Sequence, residues 1–436
     1  MAPALVLLAV AACTTPSAPR TEGSSPEKTA CARPAPAPGD ETPTTIDVVE
    51  QAYYCILGHS FVGRKLDART LLAAGFAALA KEVDHPEAVM PPLTGDRTAD
   101  WTAFETVYRK VAGTSEKIAV ATLEAMVASL DDNHARWMHG QRRPPGYYDG
   151  DGYGLGLQAS ATSPPFITEV SGGAAQAAGL RPGDVIETAD GDKTPDAEVL
   201  TPRYPEARPV ELALRREGRR WTVSLRPGLY QRDLASLQVV QSRLLENDIG
   251  YVRVRAFSPD VANRVFRAVA RLRTDRALKG IVLDLRGNGG GSPVEATRLV
   301  SAFGHGRVTA YMCTADDTCE PSTTDDTVAL LGLPLVALVD EGCASACEHF
   351  SSAVKDLRLG TLVGARTAGM ISGPAQPFTL TNNTILSLPT RHHLGPNREV
   401  IDRIGVPPDH HVPLTPADAA AGRDPALARA LTLLDG

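Results

Sequence analysis

Residues Gly342–Phe350 read GCASACEHF and follow an apolar run, Leu333–Val339 (LPLVALV). The run predicts a buried strand, and Ala346–Leu357 predicts a helix. Ser345 then stands at a strand-to-helix turn, beside helix N–H groups that have no intrahelical acceptor. A serine nucleophile needs that place, because backbone donors must wait where negative charge develops. The same letters spell a capping box, Ser345-x-x-Glu348, so an N-cap without chemistry is the competing reading. A second candidate is the loop Asp284–Ser292 (DLRGNGGGS), which follows the apolar strand Gly280–Leu285. Its glycines let backbone N–H groups approach an anion, which makes Gly289 or Gly290 an oxyanion donor. A tight turn ahead of a helix is the alternative. The loop is no P-loop, since the Gly-Lys-Ser/Thr ending is missing.

These segments need elements to position them. Apolar residues recur at helical spacing from Thr45 to Leu130, most clearly over Ser115–Leu130, which ends in Asp131-Asp132-Asn133-His134. Arg142–Gly152 (RRPPGYYDGDG) predicts a linker. From Ile249 onward strands and helices alternate: strand Ile249–Arg255, helix Asp260–Thr274, strand Gly280–Leu285, helix Pro293–Ala302, strands near Val308 and Leu333, the helix after Ser345, and strand Thr361–Gly364 before a β-rich tail. That alternation predicts a largely parallel sheet.

With 436 residues, 43% of them hydrophobic, the chain has room for several cores. A net charge of −7 leaves no electrostatic footprint for nucleic acid. The start, MAPALVLLAVAA, is too short to span a bilayer and has the character of a signal h-region, although it lacks a basic n-region. Val10-Ala11-Ala12-Cys13 resembles a bacterial lipobox, which implies lipidation of Cys13 and anchoring to a lipid bilayer in the cell envelope. Residues 14–45 are rich in Thr, Ser, Pro, Ala and Glu and read as a disordered tether. Six cysteines remain, an even number that suggests disulfides whose pairing spacing does not fix. Closure of Cys313 on Cys319 is one option. Cys343 and Cys347 flank Ser345; a bridge would strain a regular helix, and small buried packing residues are the other reading. No zinc-type spacing appears, and neither a metal nor a cofactor is expected.

The segment Gly152–Arg226 resembles a PDZ domain. Gly154-Leu155-Gly156-Leu157 matches its carboxylate-binding loop, Gly179–Asp184 (GLRPGD) the turn after its short helix, and Arg208–Leu225 a closing hairpin. The resemblance implies capture of a peptide C-terminus by strand addition. With DLRGNGGG and CASACE in place, the chain from about residue 46 to its end resembles the C-terminal-processing, or tail-specific, serine peptidases and their tricorn-core relatives. That resemblance implies Ser345 as nucleophile and the Ala346 N–H as partner of Gly289 or Gly290 in the oxyanion hole. The lysine of the Ser/Lys branch falls on Met370, which accepts no proton; Arg366 and Lys355 are no substitutes. The His-dependent branch implies His134 as base and Asp402, ahead of Gly405-Val406-Pro407-Pro408-Asp409, as its carboxylate, with Asn133 placed to orient the ring. That branch more often has Glu at the position of Asp402. His349, His392, His393, His410 and His411 are set aside as packing or surface residues, and Asp356 as structural.

The expectation is thus an α/β multidomain protein. A lipoprotein-type signal (1–13) and a tether (14–45) precede a helical N-terminal domain (46–141). A PDZ-like β-rich domain (142–230) and a crotonase/ClpP-like α/β catalytic core with a β-rich tail (231–436) follow. The expected activity is extracytoplasmic hydrolysis of peptide bonds in protein or peptide substrates. A non-catalytic peptide-binding scaffold and an acyl-CoA-type enzyme are the alternatives. Oligomeric state is not encoded in any motif.

Overall fold

The computed structural model describes residue 31 and residues 39–435, apart from 64, 84, 141–143, 149, 194–196, 203, 205–206, 233–237 and 275. Cys13 and most of the expected tether lie outside the described residues. Among the described residues four helices come first: α1 (Ile46–His59), α2 (Ala68–Glu82), α3 (Arg97–Ala112) and α4 (Glu116–Ala128). Asp67 and Asp96 cap α2 and α3 by accepting backbone N–H groups of the first turn. Their apolar faces close over Tyr53, Leu72, Trp101, Phe104 and Met126, all buried. Cys31 is bridged to Cys55 of α1. After α4 comes a short strand, β1 (Arg136–Met138).

A middle unit of short strands follows: β2 (Asp151–Gly154), β3 (Leu157–Ala159), β4 (Ile167–Val170), helix α5 (Gly173–Ala177), β5 (Val185–Ala189), helix α6 (Ala197–Leu200), β6 (Val210–Arg216), β7 (Arg219–Leu225) and β8 (Gly228–Gln231). It has its own core around Ile167, Ile186, Leu212 and Leu214.

The last unit carries the main sheet. Its elements run β9 (Val240–Leu244), β10 (Ile249–Val254), α7 (Val261–Leu272), β11 (Gly280–Asp284), α8 (Pro293–Ser301), β12 (Val308–Cys313), β13 (Cys319–Thr323), β14 (Leu335–Val339), α9 (Ala346–Asp356), β15 (Thr361–Gly364), β16 (Ala375–Thr379), β17 (Ile385–Pro389), β18 (His392–Leu394), β19 (His410–His411), α10 (Pro416–Ala420) and α11 (Pro425–Asp435). The six-stranded sheet has the order β19-β15-β14-β11-β10-β9. It is parallel except for β9. β11 and β14 are buried along their whole length, as central strands covered on both faces must be. One face packs on α7, α8 and α9. The other is covered by α11 through Ala426 and Ala430. The tail therefore ends in helices rather than strands, and the Ala/Leu-rich run from Pro425 favours that form.

Two strands of the tail leave this unit. β16 and β17 form a three-stranded sheet with β1. Their Phe378, Leu380, Leu386 and Leu388 join the core of the four N-terminal helices. The helical unit is thereby locked to the segment that follows Ser345.

Candidate active site

Ser345 begins where β14 gives way to α9. Its backbone sits at φ 55°, ψ −119°, a region that costs a residue with a side chain about 1–3 kcal/mol and persists only when neighbours over-determine it. Glu348 supplies part of that determination. Its carboxylate is fully buried and accepts the Ser345 N–H at 3.2 Å, the Thr367 hydroxyl at 2.6 Å, and the N–H groups of Gly369 and Met370 at 2.6 and 2.8 Å. Burial pushes the Glu348 carboxyl above its ordinary range, and those donors oppose the rise. The glutamate half of the expected capping box is therefore made. Ser345 Oγ lies 3.1 Å from His134 Nε2.

His134 belongs to the turn between α4 and β1. Its N–H donates to Asp132 Oδ1 at 2.9 Å, and the Ser372 hydroxyl donates to the same oxygen at 2.7 Å. Its Nδ1 is 2.5 Å from Asn133 Oδ1, while Asn133 Nδ2 donates to Asp402 Oδ1 at 2.8 Å. An amide oxygen only accepts, so Nδ1 carries the ring proton and Nε2 presents a lone pair to Ser345. Ser372 Oγ, 3.3 Å from Nδ1, reinforces the same tautomer, because its own proton points at Asp132. Asp402 does not hydrogen-bond the ring; Asn133 spans the gap that its short side chain leaves. Asp402 is itself fixed by the Ile371 N–H at 3.1 Å. Arg403 braces the turn by pairing with the Asp131 carboxylate at 2.8 Å and donating to the Asp131 carbonyl. Burial lowers the His134 pKa below its ordinary value, with Asp132 opposing, Arg136 adding and Asp402 opposing. The ring is neutral near pH 7 and ready to accept a proton.

The glycine loop lies against the nucleophile. A side-chain carbon on Gly290 would stand 2.6 Å from Ala344 O, 2.7 Å from Ser345 Cβ and 2.9 Å from Ala346 N. Gly290 nevertheless corrects one expectation. Its N–H donates to Asn288 Oδ1 at 2.9 Å, so it has no proton to offer a substrate oxygen. Gly289 is exposed, with nothing within 4 Å of where its side chain would be. Ala346, the first residue of α9, has no acceptor one turn back within the helix. This set can deprotonate a hydroxyl, direct it at a carbonyl and receive an oxyanion.

Comparison with known proteins places the chain. Residues 248–412 match peptidase family S41. Ser345, Asp402 and the glycine loop fall inside that segment; His134 and Asn133 fall outside it. The chain is 30% identical over 335 residues to carboxyl-terminal-processing peptidase 2 of Arabidopsis thaliana, described as chloroplastic, with 71% of this chain and 63% of that one covered. It thus spans less than two thirds of that relative. A Synechocystis carboxyl-terminal-processing protease is 26% identical, with 77% and 82% covered. The structure of a photosystem II D1 C-terminal processing protease superposes with a TM-score of 0.54 at 23% identity, over 79% of this chain and 92% of that one, which shows a shared fold. Over these spans the chain is similar to carboxyl-terminal-processing peptidases.

The remaining candidates of the S41 segment have other places. Met370 keeps its side chain 40% exposed, and its carbonyl accepts the Ser345 N–H at 3.1 Å. Lys355 is paired with Asp409 at 2.5 Å. His349 is fully buried and its Nε2 lies 3.1 Å from the Thr309 and 3.2 Å from the Thr297 hydroxyls. His393 is not a surface residue as its sequence context suggested; β18 pairs with β12, which buries it to 2% exposure, with its ring 5.2 Å from that of His349. Ser372 and Asp132 were missed at the sequence level: Ser372 belongs to no motif, and Asp132 is one of three polar residues ahead of His134 with nothing to single it out.

In the middle unit, Gly154, Leu155, Gly156 and Leu157 form the β2–β3 turn. Its carbonyls at Leu155 and Gly156 accept N–H groups of Ala175 and Ser171, each at 2.9 Å. Gly156 sits so close to Gly172 that a side-chain carbon would lie 2.0 Å from its carbonyl oxygen. A cavity of about 460 Å³ separates β3 from the sheet, lined among others by Gln158, Arg253, Arg286 and Glu341. Neither Ser345 nor His134 lines it. Among the described residues no helix is long and apolar enough to cross a membrane.

Proposed function

We infer that the protein is a serine endopeptidase of the tail-specific type, using His134 rather than lysine as base. The observation that carries this reading is the 3.1 Å approach of His134 Nε2 to Ser345 Oγ, with Nδ1 held by Asn133. In the mechanism, Nε2 takes the hydroxyl proton as Oγ attacks a peptide carbonyl. The N–H groups of Ala346 and Gly289 receive the developing oxyanion. The imidazolium, steadied through Asn133 by Asp402, then protonates the leaving amine. Water repeats the sequence to release the acyl group.

The middle unit acts as a PDZ-type receptor for a substrate C-terminus. Its β2–β3 turn, Gly154–Leu157, would face the terminal carboxylate, and the free edge of β3 would take the tail as an added strand. Among the described residues β3 pairs with β4 only, which supports this by leaving one edge of β3 open toward the cavity. The chain is exported and held at the membrane by a lipid on Cys13. Three disulfides support an oxidising compartment. The scaffold alternative drew on Met370; with His134 beside Ser345, the absence of lysine no longer argues for it.

A fluorophosphonate probe tests the reading. The parent should label and should digest an unfolded protein, while Ser345→Ala and His134→Ala variants of equal thermal stability should do neither. Undiminished digestion by Ser345→Ala would refute the assignment.

A further inference from the structure

The nucleophile stands inside a covalent ring. Cys343 and Cys347 are bridged, four residues apart, and Ala344, Ser345 and Ala346 lie between them. The expected conflict with helix geometry does not arise. α9 begins at Ala346, so only Cys347 is helical, and the Cα–Cα separation of 5.4 Å is ordinary for a bridge. Both cysteines are fully buried, packed with Leu285, Val339 and Ile371. The Cys343 end of the ring is also tied to the scaffold. The Cys343 N–H donates to Asp340 O and its carbonyl accepts the Ala368 N–H, both at 3.0 Å. Between them, the Ala344 N–H donates to Asn288 O at 3.0 Å, which links the ring to the glycine loop.

Ring closure acts on the backbone torsions that matter most here. Ser345 holds a φ of 55°, where a residue bearing Cβ is strained, and Ala346 carries an N–H of the oxyanion site. An open chain would be free to relax Ser345 toward ordinary helical or extended angles. That would swing Oγ from His134 and turn the Ala346 N–H. Hydrogen bonds donated by the Ser345 N–H to the Glu348 carboxylate and the Met370 carbonyl resist this, but they fix one atom of the residue, whereas the bridge restrains the chain on both sides of it.

We propose that the Cys343–Cys347 disulfide is a positioning device for catalysis, which holds Ser345 and the Ala346 N–H in reactive register. The proposal rests on Ser345 being the nucleophile. Both cysteines are fully buried, so the bridge acts through Ser345 and Ala346. The device is set when the disulfide forms, so full activity belongs to the oxidised protein.

The test replaces both sulfurs with hydroxyl oxygens, which cannot form a bridge. Cys343→Ser/Cys347→Ser should keep the parent's circular dichroism and KM while kcat falls about tenfold, a change equivalent to roughly 1.4 kcal/mol in the barrier. Fluorophosphonate labelling, which needs no bound peptide, should slow by the same factor. Cys313→Ser/Cys319→Ser, which opens the bridge of the β12–β13 hairpin, should leave kcat unchanged. If the serine pair does not fold, Cys343→Ala/Cys347→Ala is expected to give the same kcat loss. Thiol alkylation of the denatured, unreduced parent should find no reactive cysteine in the peptide containing residues 343–347. A doubly substituted protein with kcat within about twofold of an active parent, or free thiols in that peptide, would overturn the proposal alone. A parent that neither labels nor cleaves would overturn the peptidase reading and this proposal with it.

Discussion

His134 and Ser345 meet across 211 residues of sequence, and the contact is held by an amide rather than by a carboxylate. Asn133 is the hinge of this arrangement, because it joins Asp402 to the ring. Asn133→Ala should lower kcat roughly 100-fold, with KM little changed, since the ring would lose the partner that selects its tautomer. Steady-state kinetics on a peptide substrate measures this. The pH profile carries a second expectation. Burial depresses the His134 pKa, so the base stays unprotonated below the ordinary histidine value of 6.5. The acid limb of kcat/KM should therefore have its midpoint below pH 6.5, and activity should fall as pH drops through that midpoint. At this scale much was readable: Ser345, His134, Asn133 and Asp402 are all marked by motifs. The commitment of the Gly290 N–H and the arrival of Ser372 were not, because each depends on where a distant or neighbouring side chain turns, which no spacing records.

Among the elements, the β14–α9 turn is the most constrained. Gly290 is packed against it so closely that any side chain would strike backbone atoms of Ala344 and Ala346, and its φ of 97° already disfavours one. Gly290→Ala should cost about 1–3 kcal/mol of stability, read from urea unfolding, and should abolish most probe labelling by displacing Ser345. The central strands β10, β11, β14 and β15 were legible to within two residues, whereas the edge strands β9 and β19 were not anticipated. Strand Thr361–Gly364 falls where the sequence puts it, and β10, β11, β14, α8 and α9 differ only at an end. Apolar runs bounded by glycine and proline announce buried parallel strands clearly. The terminal helices α10 and α11 were hidden because they follow a stretch with no apolar period of its own.

Across the whole molecule, the departure of β16 and β17 was the least legible feature. Their alternation suits a strand on any half-covered sheet, and nothing in it names β1 and the helical core as the partner. A buried imidazole pair adds a global pH dependence. His349, pushed by burial down to about 4, and His393, pushed well below its ordinary value, are neutral in the fold. An unfolded chain would protonate them near 6.5. Their contribution is fully present above pH 6.5 and is lost as pH falls from there toward 4. Thermal unfolding should show Tm dropping across that interval, and His349→Gln, which cannot titrate, should flatten the drop.

The exchange of β16 and β17 also bears on how the protein is made. Asp402 and the strands that dock the front helices onto the back sheet are made after both His134 and Ser345. A nascent chain lacking them would have the alcohol and the imidazole but no scaffold bringing the two together. A site built this way stays unassembled while those strands are still unmade. Ser345 and His134 come together only once β16 and β17 dock onto β1 and the helical core.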